Sequence, residues 1–156
     1  MLEKITPDAS SLFQDSLPIH PDMLISDLTT LKIQFGQFNH PPLKTVEDSK
    51  AHRDGMLTKY EGGGHIKNLY LRDRKKRNFL VVMQEDRQVD LKSFGGQVGS
   101  DRLSFGSADR LFEMLGVRPG AVSPFTLIND PDHKVQLLID SELADQPCLF
   151  AHPLVN

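Results

Sequence analysis

Lys67 falls in phase with leucines. In the run His65-Ile66-Lys67-Asn68-Leu69-Tyr70-Leu71-Arg72, strand alternation puts Lys67, Leu69 and Leu71 on one face and Asn68, Tyr70 and Arg72 on the other. A lysine on a leucine face either snorkels out at the strand mouth or enters a pocket where its ammonium meets an anion. Gly62-Gly63-Gly64, just ahead of it, would let a ligand come close to the backbone. A second candidate is Gly120-Ala121-Val122-Ser123-Pro124, a turn of small residues between a helix end and a strand. Such a turn serves as a plain connection, or presents consecutive backbone N–H groups to an anionic or carbonyl oxygen. His152, in Leu149-Phe150-Ala151-His152-Pro153-Leu154, closes an apolar segment as a satisfied structural residue or as a pocket group. Finally, Lys67, Arg72, Arg74, Lys75, Lys76 and Arg77 crowd six of the 18 cationic residues into positions 65–77. That patch reads either as a solvated hairpin tip guarding a sheet edge or as a nucleic-acid contact.

Several chemistries are excluded by what is missing. No Gly-Lys pair occurs, so the phosphate-binding loop G-x-x-x-x-G-K-[ST] is absent. There is no G-x-S-x-G elbow for a serine nucleophile and no H-E-x-x-H for zinc. The single cysteine, Cys148, lies between Pro147 and Leu149 with no base nearby in sequence, and reads as a small core residue rather than a nucleophile. The six histidines at 20, 40, 52, 65, 133 and 152 show no i, i+4 pair. No metal or other cofactor is expected.

The elements that must position these residues come from a chain of 156 residues with 38% hydrophobic and 25% charged content, the usual size of one globular domain. Its net charge of −3 argues against coating nucleic acid by bulk charge. No apolar run approaches the ~20 residues of a membrane span, and no secretory signal opens the chain, so a cytoplasmic location is expected. Residues 1–21 read as an N-terminal extension with at most one short helix, and residues 22–156 as the domain. Leu24, Leu28 and Leu31 mark a helix, followed by a strand at Ile33 and Phe35 and a turn at Asn39-His40-Pro41-Pro42. Thr45 caps a second helix ending near Gly55. Strands at 68–72 and 78–84 form a hairpin. Residues 90–98 form a short helix, and Ser107 caps a helix over 108–115 closed by Gly116. Further short strands are expected at 126–129, 135–139 and 149–152. Strands and helices mix without a βαβ period, which points to α+β with a curved, partly antiparallel sheet.

Five ordered motifs then stand together: His65 to Asp73, Arg102-Leu103-Ser104-Phe105-Gly106-Ser107, Gly116 to Phe125, Leu127-Ile128-Asn129-Asp130 and His152-Pro153-Leu154. In this order they resemble the YbaK/ProX prolyl-tRNA editing family, over about residues 22–156, and most of all its free-standing Ala-tRNA(Pro) deacylases, relatives of the insertion domain of bacterial prolyl-tRNA synthetase. The resemblance implies a mixed, barrel-like sheet with surrounding helices and a site that hydrolyses the ester joining a mischarged amino acid to tRNA. It implies Lys67 as the essential lysine holding the terminal adenosine or its phosphate, with Asn68 in support. Gly120 would position the aminoacyl carbonyl, and Ala121, Val122, Ser123 and Pro124 complete the family's G-x-x-x-P loop. His152 would line the pocket, and Thr45 and Ser107, read above as helix caps, would border the substrate. Arg72, Arg74, Lys75 and Lys76 would touch tRNA. The implied partners are the acceptor end of tRNA(Pro) and prolyl-tRNA synthetase or an elongation factor. Water attack would be assisted by the substrate's own ribose hydroxyl, so no protein triad is needed. A deacylase for mischarged Cys or Ser, or a non-catalytic tRNA- or ligand-binding module, remains open at this stage.

Overall fold

The computed structural model describes residues 6–43, 45–56, 62–100 and 102–156. Its centre is the hairpin of β1 (Gly64–Asp73) and β2 (Asn78–Gln84), paired antiparallel from Ile66 opposite Gln84 to Arg72 opposite Asn78. β3 (Leu103–Phe105) adds antiparallel to the far end of β1, and β4 (Val135–Ile139) adds parallel to β2. The order is β3-β1-β2-β4, with the short β5 (Leu149–Phe150) pairing parallel to the start of β1. This mixed sheet with flanking helices is α+β, as the sequence predicts. Among the described residues it is open, with β3 and β4 as edges, so the expected barrel-like closure is not formed.

The two faces of the hairpin bury different things. Every β2 residue but Gln84 is buried, the signature of a strand covered on both sides. On one face Tyr70, Leu80, Val82 and Val135 join Leu24, Leu28, Leu111, Leu115, Val117, Ala121 and Leu154 in the larger core. On the other, Leu71, Phe79, Val81, Met83 and Leu103 form a smaller one, with Leu69 and Phe94 against it. Residues before the expected domain start also pack on the larger core, through Ala9, Leu17 and Ile19.

Helix ends follow their caps. α1 (Pro21–Thr30) starts behind His20, whose ring accepts from the Asp22 N–H at 3.2 Å. At α2 (Val46–Met56) Thr45 and Asp48 exchange reciprocal bonds of 3.0 and 3.1 Å, a capping box. α3 (Leu91–Gln97) takes two amides on Asp90. α4 (Ala108–Leu115) is capped by Ser107 and stopped by Gly116 at φ +64°. Two expected strands are not strands. Residues 33–43 run as irregular chain, and Pro124–Asn129 is a 3-10 helix. There Pro124 presets helical φ, and the Ser123 carbonyl accepts from both the N–H and the hydroxyl of Thr126, at 3.0 and 2.7 Å.

Gly106 sits where a side chain cannot. A Cβ there would overlap the ring edge of Tyr70, which is buried and pinned by its hydroxyl donating to Asn78 Oδ1 at 2.9 Å. Gly106→Ala is therefore expected to cost about 1–3 kcal/mol, the range for overpacking a tight core. Chemical denaturation reads this directly, and wild-type stability would mean the Tyr70 ring can yield.

Candidate active site

The Gly120 turn is built from both sides. Upstream, the chain leaves α4 through Gly116, whose reversal is braced by Asn129 Nδ2 donating to the Leu115 carbonyl at 3.0 Å. Arg118 lies over the Phe112 ring at 4.8 Å, and its carbonyl accepts the Ala121 N–H at 3.1 Å. Gly120 itself takes φ +101°, a backbone state open to glycine at little cost. Downstream, Ser123 is fully buried and its hydroxyl donates to the His152 carbonyl at 2.7 Å. The Ala121 amide is thus spent within the turn, while those of Gly120 and Val122 have no hydrogen-bond partner among the described residues. They are the two donors the turn can offer a ligand oxygen.

His152 reaches this turn because β5 docks on β1. The Gly64 N–H donates to the Cys148 carbonyl at 2.8 Å, and the His65 and Phe150 rings stack at 4.5 Å. Gly63 lets the strands close up, since a Cβ there would stand 2.7 Å from Cys148 Sγ. The His152 ring lies 5.6 Å from that of His40. Burial, and then the charge of His40, push the His152 pKa down to about 4, while the Gly120 main chain acts in the opposite direction. At neutral pH His152 is uncharged, so it can line a pocket or share a hydrogen bond but holds no proton to give as an imidazolium.

Two residues that the sequence reading did not single out complete the site. His40 comes to His152 from the irregular 33–43 segment, which carries no periodic signal. Asn156 fastens that segment: its Oδ1 accepts from the Leu43 N–H at 2.9 Å, its Nδ2 donates to the Leu43 carbonyl, and its N–H donates to Ala9 at 2.6 Å. Its Nδ2 would stand 3.4 Å from a Cβ placed on Gly120.

Strand parity separates Lys67 from Asn68. Lys67 pairs with Met83 and shares the face of Leu69 and Leu71, which is the smaller core. Its ammonium donates to the Arg87 carbonyl at the surface. Asn68 pairs with Val82 and shares the face of Tyr70, the larger core to which Ala121 and Leu154 belong. Parity puts Asn68, not Lys67, on the side of the Gly120 turn, and Asn68 Oδ1 is buried without a hydrogen-bond partner among the described residues. A polar cleft of about 150 Å³ lies between residues 63–65 and 84–86, and Lys67 is not among its lining residues. Glu85 and Asp86 line that cleft, and Asp86 is paired with the Lys50 ammonium at 2.7 Å.

The remaining expected site residues are spread out. Thr45 lies two residues from Leu43, the residue stapled by Asn156. Ser107 sits at the opposite end of α4 from Gly116, some 12 Å of helix away, with its hydroxyl accepting from Arg110 N–H at 3.3 Å. Arg74, Lys75 and Lys76 are exposed at the hairpin tip, roughly 20–25 Å along the strand from Lys67. Asp73 fixes that tip by accepting from the Arg77 N–H and Nε at 2.8 and 2.6 Å. Burial acts to raise the Asp73 pKa, but those bonds and the Arg77 charge hold it below the usual carboxylate range. Arg72 is apart from the tip, half-buried in β1. Among the described residues no three His, Cys, Asp or Glu side chains gather to hold a metal, and no helix is long and apolar enough to cross a membrane.

The fold is shared with solved structures. A solved structure named as a candidate trans-editing enzyme for prolyl-tRNA synthetase superposes with TM-score 0.62 at 16% identity, covering 86% of this chain and 81% of that one. The crystal structure of hypothetical protein APE2540 gives 0.57 at 20% identity, over 77% and 75%. The family comes from sequence. Residues 40–156 match the aminoacyl-tRNA editing domain model. The chain is 38% identical over 135 residues to the prolyl-tRNA editing protein ProX of Acetoanaerobium sticklandii, covering 85% of this chain and 79% of that protein. It is 34% identical over 134 residues to prolyl-tRNA synthetase associated domain-containing protein 1 of Mus musculus, covering 83% and 76%. The chain belongs to the aminoacyl-tRNA editing domain family, whose chemistry is deacylation of charged tRNA.

Proposed function

We propose that this protein is a trans-editing deacylase that hydrolyses the ester of mischarged Ala-tRNA(Pro). The observation that carries the reading is the Gly120 turn, which leaves the amides of Gly120 and Val122 without a hydrogen-bond partner among the described residues, beside a neutral, half-buried His152. In the reaction, water adds to the aminoacyl carbonyl carbon and the negative charge on its oxygen meets those two N–H donors. The bond to the ribose oxygen then breaks, the ribose hydroxyl recovers a proton and alanine leaves as its carboxylate. Asn68 Oδ1, buried and lacking a partner among the described residues, suits the α-ammonium of the amino acid. Lys67 exchanges its surface carbonyl for the phosphate of the terminal adenosine. The exposed Arg74, Lys75 and Lys76 meet backbone phosphates farther along the acceptor stem, with tRNA(Pro) delivered by prolyl-tRNA synthetase or an elongation factor.

The chemical need is real, because a synthetase pocket shaped for proline rejects a smaller side chain by only about 1–3 kcal/mol. The test is to incubate the purified protein with Ala-tRNA(Pro), Pro-tRNA(Pro) and Cys-tRNA(Pro) and follow the remaining acylation. Rapid loss of alanine alone is expected. Preferential loss of cysteine would reassign the substrate, and salt-sensitive tRNA binding without hydrolysis would make the protein a binding module.

A further inference from the structure

We infer that Arg87 and Asp140 are positioning residues for Lys67, fixing the carbonyl on which its ammonium waits for the substrate phosphate. The role of Lys67 rests on the deacylase reading above, and the way it is held is visible in the structure. The Lys67 ammonium donates to the Arg87 carbonyl. That carbonyl belongs to a turn closed by the Arg87 N–H donating to the Gln84 carbonyl at 3.1 Å, and tied to β1 by the Glu85 N–H donating to the His65 carbonyl at 3.0 Å. The Arg87 guanidinium crosses to the carboxylate of Asp140, just past β4, and lies 3.5 Å from that of Glu142. The Asp140 side chain is only 10% exposed. Its second oxygen accepts the Glu142 N–H at 3.2 Å, and its own N–H donates to the Val82 carbonyl at 2.9 Å. A fixed acid thus holds the guanidinium, the guanidinium holds the turn, and the turn's carbonyl seats the lysine.

The gain is entropic. A lysine stem that swings freely gives up its rotamer freedom when it binds an anion. One already seated on a neutral carbonyl has given that freedom up, and a phosphate displaces the carbonyl because a charge-assisted bond is the stronger. Holding one such side chain ready is worth about threefold to tenfold in affinity. Arg87 sits between two carboxylates, so its own charge is met within the protein and its effect reaches the substrate through Lys67.

A double-mutant cycle with Lys67→Ala tests this. Arg87→Ala is expected to raise both the KM for Ala-tRNA(Pro) and the Kd for uncharged tRNA(Pro) about fivefold, with kcat unchanged because only binding is lost. Asp140→Asn, whose side chain can still accept the Glu142 N–H, is expected to do the same, and Arg87→Lys to recover most of the loss. In a Lys67→Ala background none of these substitutions should have a further effect. Additive effects in that background make the pair a structural brace and overturn the proposal. A fall in kcat overturns it too, as does tighter tRNA binding by Arg87→Ala, which would make the carbonyl a competitor of the phosphate. Should Arg87→Ala fail to fold, Asp140→Asn completes the cycle. A wild-type chain that binds tRNA without hydrolysing the ester refutes the deacylase reading, whereas the Kd arm of the cycle still decides whether Arg87 and Asp140 act through Lys67.

Discussion

Replacing Lys67 with alanine is expected to lower deacylation of Ala-tRNA(Pro) about 100-fold while the fold survives. A charge-assisted hydrogen bond to a phosphate is worth up to about 3 kcal/mol, and that energy converts to about this rate factor. The fold survives because, among the described residues, the Lys67 ammonium bonds only a surface carbonyl, that of Arg87, and the residue is half-buried. Lys67→Arg keeps the charge and should recover part of the loss, since an anion contact needs a cation rather than a proton donor of particular pKa. Asn68→Ala gives the contrasting result, because its carbonyl faces the Gly120 side of the sheet. It should impair acylated substrate while binding of uncharged tRNA stays near normal, whereas Lys67→Ala weakens both. Single-turnover deacylation with tRNA binding at two salt concentrations separates the two roles, and full turnover by Lys67→Ala would remove the lysine from the site.

Acid should destabilise this protein through His152. The unfolded chain binds a proton on that ring near pH 6.5, whereas the folded ring resists until about pH 4. Between those values the unfolded state holds more protons, so stability is complete above about 6.5 and declines as pH falls towards 4. The shift amounts to about 3 kcal/mol, a large share of the roughly 5–15 kcal/mol that holds a domain folded. Urea denaturation at pH 7 and pH 4.5 should show the drop, and His152→Gln should flatten it. The bond from Ser123 goes to the His152 main chain and survives that change. The same neutrality predicts a deacylation rate with no ionisation of His152 near pH 6.5, and a bell-shaped profile centred there would assign it a proton-transfer role.

Local rules carried much of the fold. The caps at Thr45 and Ser107 and the stop at Gly116 sit where the sequence places them, because a cap bonds amides within three residues and needs no tertiary partner. The hairpin and the parity of Lys67 were legible for the same reason, a period of two being a property of the strand itself. The segment 126–129 misled because its apolar residues suit a strand, while Pro124 and the Ser123–Thr126 bonds close a 3-10 turn. The Gly120 turn, Asn68 and His152 could be named as candidates from residue types and family motifs. Their arrangement could not. Which face Asn68 shares depends on where helices pack against the sheet, and the approach of His40, Ala9 and Leu43 to the site runs through Asn156, 113 residues from Leu43 in the chain. Short-range chemistry is written in neighbouring residues. The depressed pKa of His152 and the unspent amides of Gly120 and Val122 arise only when distant segments exclude water together.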